Sequence, residues 1–239
     1  MKKRIWELDA LRGICILGVV IVHLIYDLVD LYEIIDWEYP AAFEFIKNWG
    51  GVIFILLSGV CVTLGSKSVR RGLLVFACGM ICTAATYGMY YFQMAGKGII
   101  IYFGVLHCLG TCMLLWPLFR KCPWWLLAVI GLLLTALGFY IDCNIYVKHL
   151  WLMPLGLHTN PFPTSDYFPL LPYFGFFLLG AALGKTVYGK KQTLLPNVNE
   201  RNPLLRFFLL CGKHSLWIYL LHQPILSGIC YLFLTFQNT

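Results

Sequence analysis

Charge is scarce in this chain. Only 12% of its 239 residues are Asp, Glu, Lys or Arg, against 60% that are hydrophobic, where average usage is nearer 25% charged. With a mean hydropathy of +0.76, that shortage excludes an ordinary soluble domain, and no nucleic-acid partner is expected. There is no internal repeat and no low-complexity segment. Nor does a convincing small-residue cleavage site follow the basic start "MKKRIWEL", so it reads as the head of a retained first helix and not as a signal peptide. Cysteine is plentiful, ten residues, but lacks a metal-binding pattern. The pairs Cys78–Cys82 and Cys108–Cys112 have helical spacing rather than zinc-ligand spacing. Most cysteines sit inside apolar runs as small hydrophobes. Neither metal nor structural disulfides are expected.

Long apolar runs are what the chain does have. Seven fall at about 10–31, 49–65, 69–93, 98–119, 124–142, 168–187 and 214–236, each able to cross roughly 30 Å of hydrocarbon. A short amphipathic piece, "NPLLRFFLLCGK", precedes the last and suits the membrane interface. The expected fold is an all-α polytopic membrane bundle: about seven transmembrane helices plus a short interfacial helix, in one domain over 1–239.

Basic residues set the orientation. With the N-terminus cytoplasmic, 15 of the 18 Lys and Arg fall on the inner side, leaving Lys47, Lys97 and Lys148 outside. The formal net charge of +7 is then an inner-face property. It is ordinary topogenic charge or an attraction for a polyanionic cytoplasmic ligand or anionic lipid. A cell (inner) membrane is the expected location, and a homodimer is compatible with all of this. The outer connection at 142–172, rich in Pro and aromatics, is expected to fold back over the bundle. The inner one at 184–203 reads as a solvated loop.

The first run, "LDALRGICILGVVIVHLIYDLVD", carries five ionisable groups. At 100° per residue, Asp9, Arg12, His23, Asp27 and Asp30 share an arc of roughly 60°. Ionisable groups at membrane depth normally face a bundle interior or a wet cavity, so this helix carries a polar seam. Arg12 and His23 are three turns apart, about 16 Å. Arginine stays charged and grips phosphate or carboxylate. Histidine exchanges a proton near neutral pH, and Asp27, one turn on, is placed to orient it. The bland alternatives are a snorkelling Arg12, a packing His23, a solvated Asp30 and an Asp9 that only caps or pairs with Arg12.

Further polar residues interrupt later runs. His107 lies in "YFGVLHCLGT", with Gly104 and Thr111 on its face. In "GKHSLWIYLLHQPIL", Pro224 is expected to kink the helix beside His222 and Gln223 and free backbone carbonyls. Lys213 and His214 lie near the inner face, within reach of a phosphate. Asp166, in "TSDYFPLLPYFG", is a candidate acceptor-sugar contact or a helix N-cap. For His107 and His222 the alternative role is helix packing through hydrogen bonds.

Taken together, "ELDALRGICILGVVIVH", "FILLSGVCVTLG", "YFGVLHCLGT", "DYFPLLPYFGFFLLGAALG" and "GKHSLWIYLLHQPIL" resemble bacterial members of the heparan-alpha-glucosaminide N-acetyltransferase catalytic-domain family, in order along nearly the whole chain. The Arg12–His23 spacing also resembles the first helix of acyltransferase-3 membrane enzymes. Animal lysosomal members of the first family carry Asn where His23 stands, so the role of His23 follows the second likeness. The resemblance implies transfer of an acetyl group from cytoplasmic acetyl-CoA to an amine or hydroxyl of an extracytoplasmic glycan or glycolipid. Under it, Arg12, Lys213 and His214 bind the coenzyme A thioester, and His23, with Asp27, is the base. His107 or His222 steadies the oxyanion, while Asp30 and Asp166 contact the acceptor. The rival expectations are a proton-coupled small-solute transporter and a non-catalytic membrane assembly subunit.

Overall fold

A computed structural model describes residues 5–94, 96–199 and 202–237. Lys2, Lys3, Arg4 and Arg201, four of the basic residues counted toward the inner side, lie outside them. Among the described residues there are eight α-helices: α1 (Trp6–Tyr26), α2 (Ala41–Leu64), α3 (Ser68–Tyr91), α4 (Val105–Phe119), α5 (Trp124–Asn144), α6 (Leu170–Val187), α7 (Pro203–Lys213) and α8 (Ser215–Gln237). A π-helical turn, Asp27–Leu31, ends α1. Among the described residues there is no strand, only isolated bridges at Phe103–Tyr167 and Tyr146–His158.

Among the described residues, six helices are long and apolar enough to cross a membrane: α1 with its π turn, α2, α3, α5, α6 and α8. The sequence reading of about seven differs at α4. Only 15 residues are helical there, about 22 Å at 1.5 Å per residue. The run from 98 enters through a 3-10 turn at Lys97–Ile99 and then as non-helical chain up to Gly104, where two threonines of α3 hold it. Thr83 donates to the Ile101 carbonyl (2.6 Å), and Thr86 accepts from the Ile101 amide (3.1 Å). Bare apolar side chains cover the long helices, for example Leu73 (57% exposed), Leu133 (65%) and Ile229 (59%). Water would penalise such patches; lipid does not. This is a multi-pass membrane protein.

The chain forms two compact units, one from the residues up to Phe54 together with those from Gln192 onward, the other from Ile55 to Lys191. In the first, α1 crosses α7 at two glycines. A side chain at Gly13 would strike the Phe208 carbonyl, and one at Gly212 would strike the backbone of Asp9. Small residues let helices approach to backbone contact, which membrane bundles favour. α8 runs parallel to α1, since His23 meets His222 and Asp27 meets Ser227. The 192–195 stretch, expected to be solvated, is tied down instead. Glu7 accepts from Thr193 and the Leu194 amide (both 2.8 Å), and the Trp6 indole donates to Leu195.

In the second unit the helices alternate in direction. α3 and α4 are antiparallel, with Gly72 against Leu114 and Thr83 against His107. α5 and α6 are antiparallel, with Gly131 against Leu179 and Gly138 against Pro172. α4 and α6 are parallel, Cys108 lying near Pro169 and Trp116 near Phe177. Lys185, at the end of α6, donates to the carbonyls of Arg120 (2.8 Å) and Cys122 (2.5 Å). A cation there suits the negative C-terminal end of α4. The 142–172 connection does fold back. Ser165 and Thr164 donate to the carbonyls of Ile99 and Ile100, and His158 meets Asp142 at 3.2 Å.

Candidate active site

The seam on α1 faces α7 at one end and α8 at the other. Arg12 Nη1 lies 3.1 Å from Asp9 Oδ1 and 3.4 Å from the Gly212 carbonyl. That carbonyl belongs to the last turn of α7, where carbonyls lack helical partners and carry the negative end of the dipole. Lys213 is the final residue of α7, and His214 caps it by donating its amide to the Leu210 carbonyl (3.0 Å). Both side chains are exposed. The three residues expected to anchor an anion, Arg12, Lys213 and His214, thus lie at one helix junction, with Asp9 paired to Arg12 as its alternative role allowed.

Three turns along, the imidazoles of His23 and His222 meet edge to face, centroids 4.8 Å apart at 82°. His23 Nδ1 lies 2.9 Å from the Val19 carbonyl, and His222 Nδ1 lies 2.6 Å from the Tyr219 carbonyl. A carbonyl only accepts, so each Nδ1 carries the hydrogen and each neutral ring presents a bare Nε2 lone pair. Nε2 of His222 is buried and has no partner among the described residues. This geometry corrects the expectation that His222 donates to an oxyanion: the neutral ring has no hydrogen on that side to give. α8 also continues through Pro224 as one helix, where a kink was expected.

Asp27 is wholly buried. Its carboxylate was expected to orient His23, but it is held by α8. Gln223 Nε2 donates to Oδ1 at 2.8 Å, and the Ser227 hydroxyl donates to Oδ2 at 3.4 Å. His23 takes its orientation from its own helix instead. The amide of Gln223 must turn its NH₂ toward the carboxylate, which leaves Oε1 buried and, among the described residues, without a partner. Beyond Asp27 the chain enters the π turn, whose residues advance by less than 100° each. Asp30 therefore leaves the seam and meets the Tyr39 hydroxyl (2.7 Å) and Lys47 (3.3 Å). The Tyr39 hydroxyl is pushed up to about 12 by burial and by the Asp30 carboxylate beside it. Ser227 escaped sequence reading; its only signal was a hydroxyl four residues after Gln223 in an apolar helix.

His107 and Asp166 belong to the other unit. The Gly104 amide donates to His107 Nδ1 (3.2 Å), so the hydrogen sits on Nε2 and goes to Thr83 Oγ1 (3.3 Å), which donates onward to the Ile101 carbonyl. Phe76 and Phe103 flank the ring, and a side chain at Gly79 would stand 3.0 Å from it. Both nitrogens are committed, which removes the oxyanion role expected of His107. Asp166 accepts from the Val105 amide at 3.0 Å. It thereby caps α4 from a distant loop, an N-cap role on a different helix from the one its sequence position suggested. Among the described residues no group of three or more His, Cys, Asp or Glu is placed to hold a metal ion.

The model of a family described as "Heparan-alpha-glucosaminide N-acetyltransferase, catalytic" matches residues 4–224. The chain belongs to this family. The heparan-alpha-glucosaminide N-acetyltransferase match takes in Arg12, His23, Asp27, His107, Asp166, Lys213, His214, His222 and Gln223, and stops short of Ser227. It makes the chain a membrane protein of an acetyltransferase family. No curated protein and no solved structure gives a significant match.

Proposed function

We propose that this protein moves an acetyl group from cytoplasmic acetyl-CoA to an amine or hydroxyl of an extracytoplasmic glycan, from an inner-membrane position with its N-terminus inside. The alternating helix directions support seven crossings. α4 runs with α6 and against α3, as a return pass would, and α8 then ends parallel to α1, as an odd number of passes requires. Arg12, with Lys213 and His214 at the α7–α8 junction, anchors the phosphates of the donor. The acetyl thioester reaches His23 three turns on.

The observation that carries this reading is the bare Nε2 of His23. Val19 holds the ring's hydrogen on the far nitrogen, so the lone pair is available for the acceptor's proton as the acceptor attacks the thioester carbonyl. The C–S bond then breaks and CoA leaves as a thiol. His107 and Asp166 act as braces, holding the α3–α4 pair and the loop before α6. Asp30 acts at the outer end with Tyr39 and Lys47.

Purified protein in proteoliposomes with acetyl-labelled acetyl-CoA and an amino sugar tests the proposal. Labelled sugar and released CoA thiol are the expected products. Absence of both stabilisation by CoA and label transfer would overturn it. A carrier would instead accumulate the sugar unmodified, a reading that the buried Asp27 beside two histidines also admits.

A further inference from the structure

Positive charge in the second unit gathers at one end. Between Ile55 and Lys191 there are ten Lys and Arg but only two acids, Asp142 and Asp166. The helix directions sort them. Gly184 of α6 lies against Val60 and Thr63 of α2, and Gly72 of α3 lies against Leu114 of α4. Lys185, at the end of α6, is tied to the carbonyls of the α4–α5 turn. The end of α2, the start of α3, the α4–α5 turn and the end of α6 therefore share one end of the unit. Lys67, Arg70 and Arg71 enter it around the α2–α3 turn, Arg120 and Lys121 at the α4–α5 turn, and Lys190 and Lys191 after α6. Asp142, near the end of α5, and Asp166, ahead of α6, lie at the opposite end, where His158 and the Val105 amide hold them.

The seven residues around the turns are all exposed, and none of them makes an ion pair among the described residues. Like charges gathered this way repel one another, so an anion that neutralises them binds favourably. The apolar belt beneath them says which kind of anion. Trp124 and Trp125, one turn past Lys121, are 54% and 55% exposed, and Leu118, just before Arg120, is 74% exposed. Tryptophan seats where headgroups meet acyl chains, so the cations beside it stand at phosphate depth. On α3, Leu73 and Leu74 follow Arg70 and Arg71 by one turn, both more than half exposed. Cations above bare apolar side chains suit a molecule with phosphate at one end and acyl chains below. A soluble polyphosphate would leave the apolar belt unused.

We propose that this end of the second unit is a binding surface for anionic phospholipid. The headgroup phosphates pair with Arg70, Arg71, Arg120 and Lys121, where guanidinium offers a forked pair of donors. The acyl chains lie on the apolar side chains beneath. In the orientation proposed above this end faces the cytoplasm, and the cytoplasmic leaflet is the one that carries negative lipid. None of these residues belongs to the donor anchor or to the histidine pair, so the surface stands whether or not the protein transfers acetyl groups.

The test uses the full chain in nonionic detergent micelles, titrated with dioleoyl phosphatidylglycerol or dioleoyl phosphatidylcholine and read by thermal unfolding. Phosphatidylglycerol is expected to raise the midpoint above that in phosphatidylcholine, as a ligand of the folded state does, and the difference should shrink with added salt. The apparent affinity for phosphatidylglycerol should fall roughly fivefold for each cation removed, hence about 25-fold for Arg120→Gln combined with Lys121→Gln. Arg70→Gln combined with Arg71→Gln, on a different turn, should match it, while Lys97→Gln at the opposite end should lose nothing. A wild-type midpoint in phosphatidylcholine shows that each variant is folded. Equal midpoints in the two lipids, or a preference that both double variants keep, would overturn the proposal and leave the cluster to topology alone. Inorganic tripolyphosphate raising the midpoint as far as phosphatidylglycerol does, with no lipid added, would overturn it in favour of a soluble polyanion.

Discussion

His107 and His222 are equally hidden, at 2% and 7% exposure, yet their surroundings treat them in opposite ways. Around His107 every hydrogen bond is closed: an amide donates to one nitrogen, a threonine accepts from the other, and two phenyl rings fill the remaining sides. Around His222 one nitrogen is tied to its own helix and the other has no hydrogen-bond partner among the described residues. Burial by itself therefore says little about a histidine in a membrane bundle. The informative quantity is which of its two nitrogens the protein leaves unsatisfied, because a bare buried acceptor carries a cost that a ligand can relieve.

Substitutions can break this contrast. The largest effect is expected at His23. Replacing it with Ala should lower acetyl transfer by roughly 10²–10⁴-fold, the usual worth of a positioned general base, with stabilisation by CoA retained; labelled-acetyl transfer measures it. Next comes Arg12→Ala, which should raise the donor KM by roughly tenfold to a hundredfold by removing a charged, forked donor. Arg12→Lys should recover part of that loss, in steady-state kinetics with acetyl-CoA varied. His107→Phe should leave the turnover of folded molecules intact. It should cost about 1–3 kcal/mol of stability by stranding the Gly104 amide, seen as a lower unfolding midpoint. The smallest effect is expected from Asp166→Ala, about 1 kcal/mol for a lost cap, with the acceptor KM unchanged. A raised acceptor KM there would return Asp166 to the acceptor site.

Much of this could be read from residue order, and the limits have physical reasons. The α1 seam was legible because five ionisable groups repeat at helical spacing, and lipid makes any other arrangement costly. The membrane class and the short amphipathic helix followed from run length and pattern. Partners across the fold were not legible. That Asp27 belongs to Gln223 and not to His23 depends on how α8 lies against α1, which no local period encodes. The exit of Asp30 from the seam depends on one π turn. The late start of α4 depends on two threonine hydroxyls in α3 competing for the backbone at Ile101. The Asp166 cap serves a helix 61 residues earlier in the chain, whereas local cap signals point to the helix that follows.

The pairing of α1 with α8 also governs when the site can exist during synthesis. Asp27 waits for Gln223, 196 residues downstream, an interval of roughly ten seconds or more at ordinary ribosome speeds. Throughout that time the nascent chain holds a lone carboxylate on an inserted helix, which some transient companion, whether lipid, water or the insertion machinery, must shelter. Protein truncated ahead of the last helix would thus enter the bilayer carrying an unanswered charge, a mark by which membrane quality control can recognise it.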